Sequence, residues 1–459
     1  MKLAIVGGGP AGFYVASRVL SRTRDAAVRV HMFDRLWAPH GLVRYGVAPD
    51  HPEVKNCTHK FDKVAADNRF RFFGNVNVTV NVSNAGSDVL ALPLQDIQDN
   101  YSHLVFATGC TLPTQHPALP PSPWCMPALS FVHWYTQHPE MPPPPPLHAM
   151  TRVALIGNGN VALDIARILL TPPANLKKYD VPQSVLAILE RSAVTHVDIV
   201  ARRGPLHAAF AAKELRELLT LPDASMVPIP SALLAVPPDT TSSRQQSRIL
   251  QLLQQGSKNV FGTTRKTWAL HFFMSPTALV PPVGADFAQL QLAQTTVDAA
   301  GRVIPGARAP PLATSLVVPS LGLRADPALG PLRTRAGCVL SADGERVLRG
   351  VYAAGWAATG ARGVIASTMM DAYGVADALL ADASAEASAH NVSEGVTADL
   401  AMNPAPIDDL PPPRIRDAHG VTTYDDWKRV DAEEVRRGAV LGKERERMRW
   451  EEARSFLGS

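Results

Sequence analysis

Cysteine is scarce in this chain and poorly spaced for redox work. Its four cysteines, Cys57, Cys110, Cys125 and Cys338, lie far apart with no CxxC pair, which argues against a redox dithiol, a zinc site or an iron–sulfur cluster. No metal site is expected, and any electron chemistry falls to a bound organic cofactor. No run of 18 or more apolar residues occurs, so no membrane-spanning helix is expected. The formal net charge is only +4, which gives no nucleic-acid footprint but suits contact with phosphates and an acidic partner. A strand predicted from residue 2 leaves no stretch to read as a signal or transit peptide, and that alone does not settle localisation.

What is present is a long chain with a large core. At 459 residues, 46% hydrophobic and 19% charged, it predicts two or three globular domains. LAIVGGGPAGFYVASRVL opens the chain as a buried strand, a glycine turn and a helix. AVRVHMFDR (27–35) and HLVFATG (103–109) read as further strands, followed by a Pro-rich connector with five prolines at 142–146. TRVALIGNGNVALDIARILL (151–170) repeats the opening pattern, and VTHVDIVARRGP (194–205) supplies its second strand. FAAKELRELLTL (210–221) predicts an amphipathic helix, and the Gln/Ser-rich stretch near 240–258 a surface segment. A strand-rich region ends in TSLVVPSLG (314–322). VYAAGWAATGARGVIASTMMDAYGVADALL (351–380) gives a third strand, glycine turn and helix, and YDDWKRVDAEEVRRG (424–438) a late helix. These motifs predict an α/β fold with two Rossmann-like units. The first spans 1–111 and resumes at 341–459, enclosing the second, 112–340, as an insertion.

Gly7-Gly8-Gly9-Pro10-Ala11-Gly12 matches GxGxxG between strand and helix. The first glycine makes the tight turn, the second admits a pyrophosphate, and the third lets helix and strand pack closely. The helix N-terminus adds unpaired N–H groups and partial positive charge. Asp34 ends the next strand 22 residues after Gly12 (12 to 34), where its carboxylate can accept from both ribose hydroxyls and would repel a 2′-phosphate.

Gly157-Asn158-Gly159-Asn160-Val161-Ala162 is GxGxxA in the same setting, but its second strand ends Val200-Ala201-Arg202-Arg203. Two guanidinium groups stand where the first site has an acid, and arginines bind a 2′-phosphate through charge-assisted hydrogen bonds. NADP(H) is therefore favoured there. The 39 residues from Ala162 to Ala201 require an excursion around 171–193.

Gly355-Trp356, then Gly363-Val364-Ile365, open the last long helix. In a flavoprotein with two dinucleotide sites, that helix can aim its N–H groups at the flavin's pyrimidine edge. The stretch from Gly41 to Lys55 is too polar and Gly/Pro-rich for a core element, and long loops of this kind often carry function.

GLVRYGVAPDHPEVKN, IGNGNVALDIARILLTPP, ARRGPLHAAFAAKELREL, GVIASTMMDAYG and DDWKRVDAEEVRRG together resemble the adrenodoxin reductase family of mitochondrial-type ferredoxin–NADP reductases, through nearly the whole chain. The resemblance implies a glutathione-reductase-like fold, non-covalent FAD, hydride transfer from NADPH, and single electrons passed to an acidic, adrenodoxin-like 2Fe–2S ferredoxin. It implies that Gly9, Ala11, Asp34, Leu42 and Val47 line FAD, joined by the Ala107-Thr108-Gly109 strand end. Trp356 and Gly363 to Ile365 would hold the isoalloxazine. Asn158 to Val161, Arg202, Arg203 and Glu214 would hold NADPH, with His51 and Asp164 at the nicotinamide–flavin contact, orienting the nicotinamide or relaying protons. Arg244 and Arg248, four apart and so on one helical face, match ferredoxin-docking arginines, although Gln245, Gln246 and Ser247 intervene where the family carries more basic residues. Ala357-Ala358-Thr359 stands where the family has a basic pair, so positive charge near the flavin is reduced or supplied by Arg362. A mitochondrial location, in the matrix or peripheral to a membrane, follows from the resemblance, with a bacterial cytoplasm as the alternative.

Two other readings stay open on the residues alone. One is an FAD/NADPH enzyme acting on a small molecule, such as a monooxygenase or quinone reductase. The other is a non-catalytic redox sensor that binds NADPH and signals through a partner.

Overall fold

The computed structural model describes residues 1–80, 88–235, 242–282, 284, 286–298, 300–326, 332–388, 401–406 and 408–458. Two sheets organise them. The first orders strands Thr334–Arg335, Cys338–Leu340, Val347–Ala353, His103–Phe106, Lys2–Val6, Arg29–Phe33 and Phe70–Phe73. From Val347–Ala353 onward these strands run parallel. The second is parallel throughout, in the order Ala224–Met226, Lys266–Phe272, His196–Ala201, Arg152–Ile156, Leu316–Pro319. Parallel strands covered on both faces must be apolar along their length, and Lys2–Val6 is buried at every position. The first sheet takes strands from both ends of the chain, whereas the second takes all of its strands from the interval between them. The fold is thus a doubly wound α/β unit with a second inserted into it.

In each sheet the strand feeding the glycine loop lies between two crossovers that run opposite ways. Lys2–Val6 sits between Arg29–Phe33 and His103–Phe106, and Arg152–Ile156 between His196–Ala201 and Leu316–Pro319. Dinucleotides bind in the crevice beyond the carboxyl ends of strands at such switch points. Aromatic cores hold the two units. Phe13, Phe61, Phe70 and Trp427 pack around the first, and Trp268, Phe131, Tyr135 and Phe210 around the second. An antiparallel sheet of Met274–Val280, Ala288–Val297 and Val303–Thr314 closes one face of the second through Leu290, Leu292 and Ala309.

Three expectations change in detail. The stretch near 240–258 is more than a surface segment. Its described part forms a helix, Arg244–Gln255, that buries Ile249, Leu250, Leu252 and Leu253 and is started by a Ser243–Gln246 capping box. The apolar spacing was masked by the surrounding glutamines. The 41–55 segment, read as too polar for a core element, buries Val43, Arg44, Tyr45, Ala48 and His51 and forms short helices at Leu42–Tyr45 and Pro52–Cys57. The 171–193 excursion is likewise ordered, as helices Pro173–Leu176 and Gln183–Glu190. Among the described residues no helix is long and apolar enough to cross a membrane.

Candidate functional site

The first glycine loop divides its three glycines by task. Gly7 has φ +114°, and a Cβ there would stand 2.3 Å from the Ala107 carbonyl oxygen. A Cβ on Gly12 would meet the Gly7 carbonyl oxygen at 2.2 Å, whereas one on Gly9 would meet nothing within 4 Å. Two glycines therefore serve packing, and Gly9 leaves open space at the N-cap of helix Pro10–Arg22, where a pyrophosphate can approach. Asp34 is buried, and its carboxylate accepts the N–H of Gly8 at 2.6 Å and of Leu36 at 2.7 Å. Burial pushes its pKa up, opposed by those two N–H groups.

Neighbouring segments converge on this loop. The His40 N–H donates to the Gly8 carbonyl at 2.8 Å, bringing Gly41 against Gly9 and presenting Leu42 and Val47 half-buried. Ala107, Thr108 and Gly109 leave their strand beside Gly7. Gly355, at φ +62°, sits so close to Ala11 that a Cβ would lie 2.6 Å from the alanine Cβ. The turn it opens is held by Cys110 Sγ donating to the Trp356 carbonyl at 3.3 Å and by Trp356 Nε1 donating to the Arg362 carbonyl at 2.8 Å. Gly363 and Val364 stay exposed just ahead of helix Ile365–Ser388.

The second crevice repeats this division of labour. Gly157 has φ +110° and lies against the Ser320 carbonyl, and Gly159 again faces open space at the N-cap of helix Asn160–Leu170. Fully buried Ala162 takes the third, close-packed position. Asn160 Oδ1 accepts the Ala211 N–H at 2.8 Å, which draws helix Ala212–Leu219 and Glu214 to the loop. Val161 is exposed. Asn158 Nδ2 and Glu214 Oε2 are buried with no partner among the described residues, a condition that calls for a polar ligand. Arg202 is exposed and close enough to depress His116, whose pKa burial already lowers. Arg203 is half-buried and donates to the Gly301 carbonyl at 3.2 Å. These groups fit a phosphorylated dinucleotide.

A polar cluster bonds one unit to the other. His51 Nε2 lies 2.7 Å from Glu217 Oε2. Arg167, from the second unit's glycine-loop helix, grips Asp50 with two bonds of 2.6 and 3.0 Å. It also pairs with Asp164 at 2.9 Å and Glu217 at 3.3 Å. Burial, the largest influence, works against charge on His51, but the Glu217 hydrogen bond and the charges of Asp50 and Glu217 together outweigh it and raise the pKa. Burial also opposes the charges of Asp50 and Glu217, yet Arg167 and His51 respectively hold them below their ordinary values. Asp164 is pushed up by burial. His51 and Asp164 were expected here from the sequence. Asp50, Arg167 and Glu217 were not, although an arginine on the buried, apolar side of helix Asn160–Leu170 was a signal.

Arg244 and Arg248 are exposed on helix Arg244–Gln255. Gln246 Nε2 donates to the Leu206 carbonyl at 2.7 Å, so this helix begins beside the turn that follows Arg202 and Arg203.

Known proteins share this arrangement. A family model described as FAD-NAD(P)-binding matches residues 4–54. The mitochondrial NADPH:adrenodoxin oxidoreductase of Bos taurus is 35% identical over 97% of this chain and 90% of its own length. The NADPH-ferredoxin reductase FprA of Mycobacterium tuberculosis is 33% identical over 82% of this chain and 83% of its own. A solved structure of Mycobacterium tuberculosis FprA in complex with NADPH superposes with a TM-score of 0.81 at 28% identity, covering 100% of this chain and 99% of that one.

Proposed function

The chain belongs to the adrenodoxin reductase family, and on that premise we propose that it is an NADPH:ferredoxin oxidoreductase with FAD in the first crevice and NADP(H) in the second. The observation that carries the reading is the asymmetry of two otherwise matching crevices. An acid ends the strand beside one and two arginines follow the strand beside the other, while His51 from the first unit is bonded to Glu217 from the second.

Bound FAD supplies acceptance of a hydride from NADPH and release of its electrons one at a time. The rest is work for the chain. Gly9 and the following helix N-terminus would hold the FAD pyrophosphate, with Asp34 at the ribose. Ala11, Leu42, Val47 and Ala107 to Gly109 would line its path. Trp356 and Gly363 to Ile365 would flank the flavin ring. Asn158 to Val161 and Glu214 would anchor NADP(H), and Arg202 with Arg203 would select its 2′-phosphate. The carboxylates of Asp50, Glu53, Asp164 and Glu217 outnumber the cations of Arg167, Lys213 and His51 beside them, a field suited to the positive ring of NADP+. His51 and Asp164 orient the nicotinamide and hold exchangeable protons near it.

The partner is read as an acidic 2Fe–2S ferredoxin steered by Arg244 and Arg248. The chain divides at about 111 and 340 into the enclosing and inserted units. The relatives' names support a mitochondrial site or a bacterial cytoplasm. Purified protein should show flavin absorbance that NADPH bleaches, and cytochrome c reduction that depends on added 2Fe–2S ferredoxin. Equal reduction with and without ferredoxin refutes the ferredoxin assignment.

A further inference from the structure

A buried group of charges lies outside the machinery described above. Arg447 and Asp180 have side chains only 1% and 4% exposed. Arg447 uses every face of its guanidinium. Nε and Nη2 donate to the two oxygens of Asp180 at 2.7 and 2.5 Å, and Nη1 donates to the carbonyls of Arg44 at 2.8 Å and Thr136 at 2.5 Å. One side chain near the C-terminus thereby meets the segment leading to His51, the end of helix Ala128–Thr136, and the inserted unit. Lys55, four residues beyond His51, reaches the same Asp180 at 3.1 Å. Arg44 is clamped in turn by Glu434 through bonds of 3.0 and 2.7 Å, and Glu434 accepts the Met448 N–H at 2.9 Å. The tail also grips the inserted unit directly. Glu446 accepts the Gln183 N–H at 3.0 Å, Lys443 donates to the Val181 carbonyl, and the Glu444 N–H donates to the Lys178 carbonyl at 3.1 Å.

Desolvating so many charges is a poor route to stability, because an apolar cluster of equal volume would serve as well. What the charged version supplies is direction, since a guanidinium fork can donate to one carboxylate and two carbonyls in only one arrangement. We infer that Arg447 and Asp180 are positioning residues that fix the His51-bearing segment against the inserted unit, and so set the flavin–nicotinamide register. The inference rests on the placement of FAD and NADP(H) proposed above. Hydride transfer is sensitive to such placement, a misfit of about 1 Å costing about a hundredfold.

The test compares wild-type holoprotein with Asp180→Asn, Arg447→Lys and, as a milder perturbation, Lys55→Gln. Leu92→Ala, buried on strand Leu90–Pro93, which pairs with Val76–Thr79 outside the two main sheets, serves as a matched destabilised control. Expected for Asp180→Asn and Arg447→Lys is retained FAD and NADP+ affinity within about threefold. Flavin reduction by NADPH should slow about tenfold to a hundredfold. The long-wavelength charge-transfer absorbance formed with NADP+ should weaken, and hydrogen exchange should speed up across 41–57. Lys55→Gln should move the same readouts in the same direction by less, and decides the matter if the other two do not accumulate. Leu92→Ala should lower Tm and leave the rate and the absorbance alone. Variants that lose Tm as Leu92→Ala does, with rate, absorbance and exchange unchanged, overturn the inference. Wild-type protein that carries no NADPH-reducible flavin overturns the functional reading and this inference with it.

Discussion

Truncating Arg202 should convert an NADPH-selective enzyme into one that barely distinguishes NADPH from NADH. A charge-assisted hydrogen bond is worth about 1.5–3 kcal/mol, and each 1.4 kcal/mol is a tenfold change. Arg202 is exposed, whereas Arg203 is half-buried and already spends a donor on the Gly301 carbonyl at 3.2 Å. Arg202 is therefore expected to carry the larger share of the proposed 2′-phosphate contact. Arg202→Ala should raise KM for NADPH by about tenfold to a hundredfold at low salt, and by less as ionic strength screens the exposed charge. Arg203→Ala should do less, and the double variant less than the product of the two, because neighbouring groups share one phosphate. KM for NADH should change by less than about twofold, since NADH has no phosphate to lose, and kcat should hold because the contact is equal in ground and transition states. The assay is steady-state ferricyanide reduction with both nucleotides across a salt series. An equal rise in KM for NADH, or a fall in kcat with KM fixed, refutes the reasoning.

The two glycine loops predict opposite outcomes for the same substitution. Gly12→Ala drives a Cβ to 2.2 Å from backbone and should cost FAD content and Tm, whereas Gly159→Ala meets open space and should keep both while weakening NADP+ binding in a titration. A Gly159→Ala protein that loses Tm as Gly12→Ala does would contradict this. In the folded protein the His51 pKa is raised above 6.5, so the imidazolium–Glu217 pair stabilises fully below 6.5 and fades as pH climbs through the raised value. Glu217→Gln removes the raising bond and leaves burial and Arg167, which lower it. The basic limb of the pH profile of NADPH-driven flavin reduction should therefore move to lower pH, and an unmoved limb counts against His51. Arg244→Ala with Arg248→Ala should raise KM for an acidic ferredoxin and flatten its salt dependence, with NADPH-to-ferricyanide turnover intact. A ferredoxin KM that stays put places the docking face elsewhere.

Much of this site was legible because it obeys short-range rules. The turn at Gly7, the open positions at Gly9 and Gly159, and the contrast of Asp34 with Arg202 and Arg203 all follow from spacing along a strand, a turn and a helix. What escaped depends on distance in the chain. Glu217 meets His51 across 166 residues, and Arg167 meets Asp50 across 117. Nothing local distinguishes either from an ordinary helical charge. The segment from Gly41 to Lys55 read as too polar for a core element for the same reason. Its arginine and histidine are nevertheless buried, and its lysine half-buried, by partners at 434, 217 and 180. Helix Arg244–Gln255 was hidden differently, its Ile249, Leu250, Leu252 and Leu253 set among glutamines that outweigh them in any count of polarity.

The charges around Arg167 constrain what His51 and Asp164 can do. Four carboxylates, Asp50, Glu53, Asp164 and Glu217, face Arg167, Lys213 and His51, so with all four ionised the group sums to −1 when His51 is protonated (4 negative, 3 positive) and −2 when it is not. Going to −2 in a partly buried site is resisted, and the carboxylate least held in its charged form is Asp164, whose pKa burial raises while those of Asp50 and Glu217 are lowered. A neutral His51 withdraws one of the charges that favour ionised Asp164, so loss of the His51 proton favours a proton on Asp164. Hydride transfer needs no general base, so in the placement proposed above the group would serve by its net negative charge beside a nicotinamide that gains positive charge. Arg167 is the residue that makes this arrangement hold. It pairs with three acids at once, keeps Asp50 ionised while His51 does the same for Glu217, and leaves Asp164 to absorb the change.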